Sequence, residues 1–366
     1  MRISIIGPAY PLRGGIAHHV YWLHQQLTSR DHKVQVVSFR RLYPRLFFPG
    51  ETESDRSGLK LDAAAIPILA PLNPITWWRA FKLVKSFSPD VIAFEWWQPF
   101  FAPLVGTLAR CFRRAGLRIL VECHNVLPHE RTPLDRPLIR FALSPADHLI
   151  THSVSDRDEV SALIPGKPVS VSPLPTLDEF IGRSPKVRDG RTVLFFGKVR
   201  KYKGLKTLLY AMPHVLKRIE CKLLVVGEFY DSIGEYERLI RDLGIENSVR
   251  IDNRYVTNEE VPAIFDLADV LVLPYLSATQ SAVARIALSN GLPIIASRTG
   301  GLVELVSEDV NGFLFPPGDC AALADRIVDY FTNNRGPVFA SKILAASKDG
   351  RCMVVETIEG LARGKD

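Results

Sequence analysis

The stretch LPYLSATQSAVARIALSNGLPIIASRTGG, Leu273 to Gly301, decides the fold class of this chain. An apolar run, Val270 to Leu273, ends at Pro274, and the polar turn Ser277-Ala278-Thr279-Gln280-Ser281 follows. Ala282, Val283, Ile286 and Ala287 then recur at helical spacing. Gly291 stops that helix, and Pro293 opens a second buried strand running to Ser297. Strand, helix and strand in that order predict a parallel α/β sheet, because parallel neighbours need a crossover. The polar turn lies where a strand's carboxyl end feeds a helix N-terminus. Free N–H groups and the helix dipole favour an anionic ligand there. An ordinary N-cap between two core elements explains the same residues, so neighbouring segments must decide.

With 366 residues the chain is long enough for two separate cores. A composition 47% hydrophobic and 23% charged is that of a globular protein. The five cysteines are scattered and lack metal-type spacing. With no cleavable leader after Met1-Arg2, they point to a reducing, cytoplasmic setting, at most on the inner face of the cell membrane. No apolar run is long enough to span a bilayer. The formal charge of +7 suits acidic partners. Nucleic acid is not expected, since no binding motif for it is evident; nucleotide phosphates and anionic lipid remain.

The first half opens with an apolar strand, Arg2–Gly7, a glycine-bearing loop, a helix over His18–Thr28 and a strand over Val34–Phe39. Gly14-Gly15 precedes the helix, where glycine permits positive φ and close ligand approach; a structural turn is the plain alternative. The loop lacks the G-x-G-x-x-G fingerprint, which disfavours a dinucleotide dehydrogenase. Further strands are expected over Asp90–Phe94, Arg118–Glu122 and Asp147–Thr151. His124 and Asn125 stand just past the second of these, at the edge where open α/β sheets collect ligands. Neither His124 nor His129 matches a zinc pattern, so no metal is expected. Aromatic residues beside cations, in RRLYPRLFFPG (Arg40 to Gly50) and around Trp77-Trp78, Arg79, Lys82 and Lys85, suit a membrane interface or a lipid-linked acceptor. Core packing is the competing reading for these, and for Trp97.

Pro165 to Pro185 reads as an interdomain linker. The alternation then restarts. Strands are expected over Thr192–Gly197, Cys221–Gly227 and Val249–Asp252, and helices over Leu205–Lys217, Tyr236–Leu243, Glu259–Leu267, Leu323–Phe331 and Val354–Leu361. Four cations, Lys198, Arg200, Lys201 and Lys203, crowd the first strand-to-helix loop. On a surface helix they would be a solvated face; at a buried strand's carboxyl edge they make a diphosphate clamp. Gly227-Glu228 and Tyr255 end the next two strands at the same edge.

The order of these motifs resembles the retaining GT-B glycosyltransferases of family 4 over nearly the whole chain. The residues that carry the likeness are G-x-x-x-P-x-x-G-G at Gly7–Gly15, His124-Asn125, F-G-K-V-x-x-x-K-G at Phe196–Gly204, L-P-Y at Leu273, and N-G-x-P-I-I-A-S-x-x-G-G at Asn290–Gly301. Glu304 and Asn311-Gly312 follow. The resemblance implies an α/β protein of two Rossmann-like domains facing across a cleft. Residues 1–172 would bind the acceptor, 173–345 the nucleotide sugar, and a helix in 346–366 would return to the first domain.

The implied reaction moves a sugar, with retained configuration, from a nucleotide diphosphate sugar to a glycan or lipid-linked acceptor in surface polysaccharide or glycolipid assembly. The donor is a co-substrate, UDP- or GDP-linked, and no cofactor is expected. His124, Lys198 and Lys203 would be catalytic. Gly14, Gly15, Arg200, Gly227, Glu228, Tyr255, Thr279, Gln280, Ser281 and Glu304 would bind the donor; His18, Asn125 and Trp97 would lie on the acceptor side. Lys198 replaces the family's usual arginine, keeping the charge but losing the bidentate fork. Two glutamates usual in the family are absent, their positions holding Ala278 and Ile286. The similar S-A-T-Q-S subgroup implies that Thr279, Gln280 and Ser281 take over polar contacts. A catalytically silent nucleotide-sugar-binding partner of another transferase is the alternative that this loss motivates, and a GT-B epimerase is a third reading.

Overall fold

The computed structural model describes residues 1–43, 53–128, 132–175, 180–182, 190–346 and 353–364. Much of the aromatic–basic stretch Arg40 to Gly50, His129 and most of the passage after Pro175 lie outside these residues. The chain divides into two compact units, Met1–Pro173 with Arg351–Asp366, and Leu174–Gly350.

Unit 1 runs β1 (Arg2–Ile6), α1 (Gly15–Ser29), β2 (Lys33–Phe39), β3 (Ile66–Leu69), α2 (Pro74–Phe87), β4 (Val91–Trp96), α3 (Ala102–Arg114), β5 (Arg118–Cys123), α4 (Asp135–Leu143), β6 (His148–Thr151), α5 (Val154–Leu163) and β7 (Val169–Val171). All pairings are parallel, in the order β3-β2-β1-β4-β5-β6-β7. The topology reverses between β1 and β4, which leaves a crevice at their carboxyl ends.

Strand periodicity sorts the core into two layers. Ile3, Ile5, Val91, Ala93 and Leu120 face one side, while Ile6, Ile92, Phe94, Ile119 and Val121 face the other. Nearly continuous apolar strands of this kind are what a sheet covered on both faces requires. The segment read as linker holds β7, a seventh strand. Its Val-Ser-Val run is short and flanked by prolines, so its strand character was hidden by its surroundings.

Unit 2 repeats the plan with β8 (Thr192–Phe196), α6 (Leu205–Leu216), β9 (Lys222–Val226), α7 (Ile233–Asp242), β10 (Val249–Asp252), α8 (Val261–Asp266), β11 (Val270–Leu273), α9 (Ala282–Ser289), β12 (Ile294–Ser297), α10 (Leu302–Leu305), β13 (Gly312–Phe315), α11 (Cys320–Thr332) and α12 (Arg335–Ala346). Its sheet is also parallel, ordered β10-β9-β8-β11-β12-β13, with the reversal between β8 and β11.

A last helix, α13 (Met353–Arg363), belongs to unit 1. Val354, Val355, Ile358 and Leu361 complete the apolar layer on the α1 side of the sheet. Arg118 Nη1 donates to the Leu361 carbonyl at 2.6 Å, and Glu359 pairs with His32 at 2.9 Å. Among the described residues no helix is long and apolar enough to cross a membrane.

Candidate functional site

The sheet reversal in unit 2 brings the two singled-out loops together. After β8 the chain turns through Lys198–Lys203 into α6; after β11 it turns through Ser277–Ser281 into α9. Tyr202's carbonyl accepts from Leu276 N–H at 2.7 Å, which ties one loop to the other. Gly204 has φ +67, and a Cβ there would meet the Pro274 carbonyl, so only glycine allows this approach. A Cβ built on Gly197 would stand 3.3 Å from Lys203 Nζ and 3.4 Å from Val283 Cγ2. The Lys203 ammonium and the first turn of α9 therefore share one spot on the backbone.

The cations there differ in surroundings. Lys198 and Arg200 are exposed and lie over the Tyr230 ring at 5.5 and 4.8 Å. Lys203 lies 5.4 Å over the Tyr275 ring. Burial lowers its pKa, the Arg200 charge lowers it further, and Tyr202 opposes; no carboxylate is among these groups. Ser281 is the N-cap of α9, its Oγ accepting from Ala284 N–H at 3.2 Å. The carbonyl of Thr279 accepts from Gly301 N–H at 2.9 Å, so the turn rests on the loop after β12.

Arg285, one turn into α9, was not singled out in the sequence. Burial alone lowers its pKa to about 10, and its Nε has no hydrogen-bond partner among the described residues. The Lys198–Lys203 loop and the N-terminus of α9 thus set cations and helix amides at one sheet edge, an arrangement that stabilises phosphate oxygens.

Other residues named from sequence fall along the same carboxyl edge. Gly227 follows β9 at φ +141 and packs on the Gly197 carbonyl, while the Glu228 carbonyl accepts from Val199 N–H at 2.8 Å. Tyr255 is half-buried after β10, and Glu304 is exposed on α10. Ala278 is half-buried and Ile286 buried, so neither missing carboxylate is replaced at its own position.

In unit 1, Gly14 caps α1 at φ +124 and Gly15 begins it. His124 is not the solvent-facing group that its place after β5 suggested. It is buried in a set with His19, Glu95, Glu122 and His152. Glu95 and Glu122 are register partners on β4 and β5, so two carboxyl groups stand side by side on the α1 face of the sheet. Gly7 makes room for one of them, since a Cβ there would overlap the Glu95 side chain.

His19 Nε2 is 2.8 Å from Glu122 Oε1, an ion-pair contact out of line for a hydrogen bond. Burial opposes charge on His19, but Glu122 and then Glu95 outweigh it and raise the pKa to about 9. Burial likewise pushes Glu122 up, yet His19, His152 and His124 bring it down to about 2. Glu95 is pushed well above the carboxylate range by burial and by Glu122, with His19 opposing. Burial lowers His124 and His152 to about 3; for His124 the His19 charge adds to burial and Glu122 opposes.

His124 Nε2 lies 2.5 Å from Glu95 Oε2, and His124 Nδ1 is 3.2 Å from His152 Nε2. Both ring nitrogens therefore point inward, which takes His124 out of a direct proton-transfer role. His18, named on the acceptor side, is half-buried near Asp55, its pKa lowered to about 4 by burial against the Asp55 charge. The buried set uses its neighbour His19, about 100° further round the helix. Trp97 is a core residue rather than an acceptor contact, packed at 4.1 Å on Phe101. Asn125 is half-buried, its Nδ2 donating to the Trp97 carbonyl at 3.4 Å.

His19, Glu95 and His124 each bring a ligand-type atom within 4.8 Å of the others. The His124 Nε2 and Glu95 Oε2 atoms are nevertheless closer than two ligands of one zinc ion. Bonds of about 2.0–2.1 Å at right angles would set those atoms about 2.9 Å apart. As arranged, the pair is hydrogen-bonded.

These shifts set a stability profile. Below pH 6.5 the unfolded chain protonates histidines that the fold keeps neutral down to about pH 3, so stability falls as pH drops. Glu122, at about 2 against 4.5, adds to that loss below pH 4.5. His19 acts the other way: the fold holds its proton up to about pH 9, so stability falls as pH rises from 6.5 through 9. Glu95, raised from 4.5 by burial and by Glu122, opposes the histidines as pH rises above 4.5, but two histidines outweigh one carboxyl. The melting temperature is expected to peak near pH 6.5; a profile rising or falling steadily from pH 4 to 9 would contradict it.

The likeness to known proteins follows the same division. Residues 14–176 match the family described as Glycosyl transferase 4-like domain, and residues 190–333 match Glycosyl transferases group 1. An uncharacterized glycosyltransferase of Methanocaldococcus jannaschii is 31% identical over 155 residues, 40% of this chain and 39% of that protein. The D-inositol 3-phosphate glycosyltransferase of Corynebacterium efficiens is 28% identical over 190 residues, 49% of this chain and 44% of that protein. The chain thus spans about two fifths of the length of these curated relatives. The crystal structure of Anabaena HepE in complex with UDP-glucose has a TM-score of 0.73 at 18% identity, covering 99% of this chain and 98% of that one. At that identity the likeness concerns the fold. The chain carries a glycosyl transferase 4-like domain followed by a group 1 glycosyl transferase domain, on the two-unit GT-B fold.

Proposed function

We propose that the protein is a retaining, metal-independent glycosyltransferase that moves a hexosyl group from a UDP- or GDP-sugar to a glycan or lipid-linked acceptor in surface polysaccharide or glycolipid assembly. The observation that carries this reading is the meeting, at the β8/β11 reversal, of Lys203 with the first turn of α9. The donor diphosphate would lie there, with Lys198 and Arg200 adding charge. As the bond from sugar C1 to the diphosphate oxygen breaks, negative charge grows on the leaving group, and fixed cations and amides stabilise it. The acceptor hydroxyl oxygen forms the new bond on the same face, and its proton passes to the departing phosphate oxygen. Thr279 and Gln280, in place of two carboxylates, would leave the sugar a neutral polar contact.

The membrane part of the proposal rests on α2 and the turn before it. Leu72, Ile75 and Trp78 are exposed there at 68%, 63% and 56%, and Lys82 lies 3.6 Å over the Trp78 ring. An apolar strip beside Arg79, Lys82 and Lys85 suits anionic lipid headgroups.

One experiment tests both parts. The protein is mixed with UDP-, GDP-, ADP- and dTDP-sugars and with membrane lipid extract in anionic or neutral vesicles, and nucleotide release and vesicle flotation are measured. Release from one donor, with flotation favouring anionic vesicles, is expected. Tight donor binding without release under any acceptor would replace the enzyme by a silent nucleotide-sugar-binding partner, the reading that Ala278 and Ile286 motivate. Equal flotation, or none, would remove the membrane contact.

A further inference from the structure

Two buried histidines of unit 1, His124 and His152, can be assigned tautomers from hydrogen-bond direction, because burial keeps both rings neutral. His152 Nδ1 lies 2.7 Å from the Ser172 carbonyl, which can only accept, so Nδ1 carries the proton. In a neutral ring Nε2 then holds the lone pair. That lone pair is 3.2 Å from His124 Nδ1, which must therefore donate. His124 Nε2 is left as an acceptor, and the atom 2.5 Å away is Glu95 Oε2. We infer that Glu95 is a neutral carboxylic acid that donates to His124 Nε2, starting a one-way chain through His152 to the Ser172 carbonyl.

The second carboxyl of the register pair supports this assignment. Glu122 Oε1 lies 2.8 Å from the His19 cation and 3.5 Å from His152 Nε2, while among the described residues Glu95 has His124 alone within hydrogen-bond reach and its Oε1 is buried without a partner. Two adjacent buried carboxylates with one cation would leave a net charge away from water, whereas one acid and one carboxylate leave none. Glu95 and His152 are thus positioning residues. They fix the corner at His124 and Asn125, where the chain leaves β5 beside the sheet reversal. That functional consequence rests on the glycosyl-transfer reading; the protonation state does not.

Histidine-selective nitrogen NMR on the full chain at neutral pH, without donor, tests the inference, with the His124 signals assigned by a His124→Gln variant. A protonated Nδ1 and an unprotonated Nε2 are expected. Infrared spectra should show the carbonyl stretch of a buried protonated acid, lost in Glu95→Gln. The glutamine variant should keep the His124 tautomer, because its amide N–H replaces the acid O–H, while Glu95→Leu should lose it. A doubly protonated His124, a metal ion on Nε2, or loss of the tautomer in Glu95→Gln as complete as in Glu95→Leu would overturn it. Should these signatures hold while no donor is turned over, the transfer reading fails by itself.

Discussion

Replacing Lys203 by methionine is expected to weaken nucleoside diphosphate binding by about 1.5–3 kcal/mol, roughly 10- to 150-fold. Methionine keeps most of the stem that packs over Tyr275 and removes the charge. The same substitution should leave the unliganded protein as stable as before, or more so. Burial already disfavours the ammonium, and among the described residues Tyr202 is the group that opposes this. Titration calorimetry with UDP and GDP, alongside thermal melting without ligand, reads both effects. Unchanged affinity would remove Lys203 from the donor site; lost affinity with a large fall in melting temperature would make its role one of folding. Lys198 and Arg200 are exposed and screened by solvent, so their single replacement should cost less.

The second large effect is expected in unit 1. His19→Leu strands Glu122 in the core without its cation, and removing one member of a buried pair typically costs about 3–5 kcal/mol. The penalty should shrink below neutral pH, because without His19 the Glu122 carboxyl is pushed up by burial and takes a proton instead. Stability of the variant therefore falls as pH rises, over a range where the parent is at its maximum. Pairing His19→Leu with Glu122→Leu should recover most of the loss, since neither charge is then left unmatched. Denaturant unfolding of the two single variants and the double variant gives the coupling; additive losses would mean that the pair does not interact.

The two halves were not equally legible in the sequence. The unit 2 site reads directly because its chemistry is local. Lys198 to Lys203 and Ser277 to Ser281 each follow a strand, and only their meeting needed the fold. The unit 1 cluster is spread over α1, β4, β5 and the turn after β6, and no spacing rule joins His19, Glu95, Glu122 and His152. A signal was nevertheless present. Val91–Trp96 and Arg118–Cys123 are nearly continuous apolar strands, and Glu95 and Glu122 stand near their buried carboxyl ends. A carboxylate there must be matched. The register that makes the two glutamates neighbours is set by sheet pairing, which sequence does not print. Trp97 misled for the converse reason: an aromatic at a ligand-bearing edge is still a large apolar side chain, and here it serves the core.

The return of α13 to unit 1 also has a consequence for synthesis. The apolar layer formed by Ile3, Ile5, Val91, Ala93 and Leu120 has no complete cover until Val354 to Leu361 have been made. Unit 2 is contiguous from Leu174 to Gly350 and is synthesised in full before those residues. The unit begun first is thus the one finished last, and its half-covered sheet is the surface that a nascent chain must keep from sticking to others.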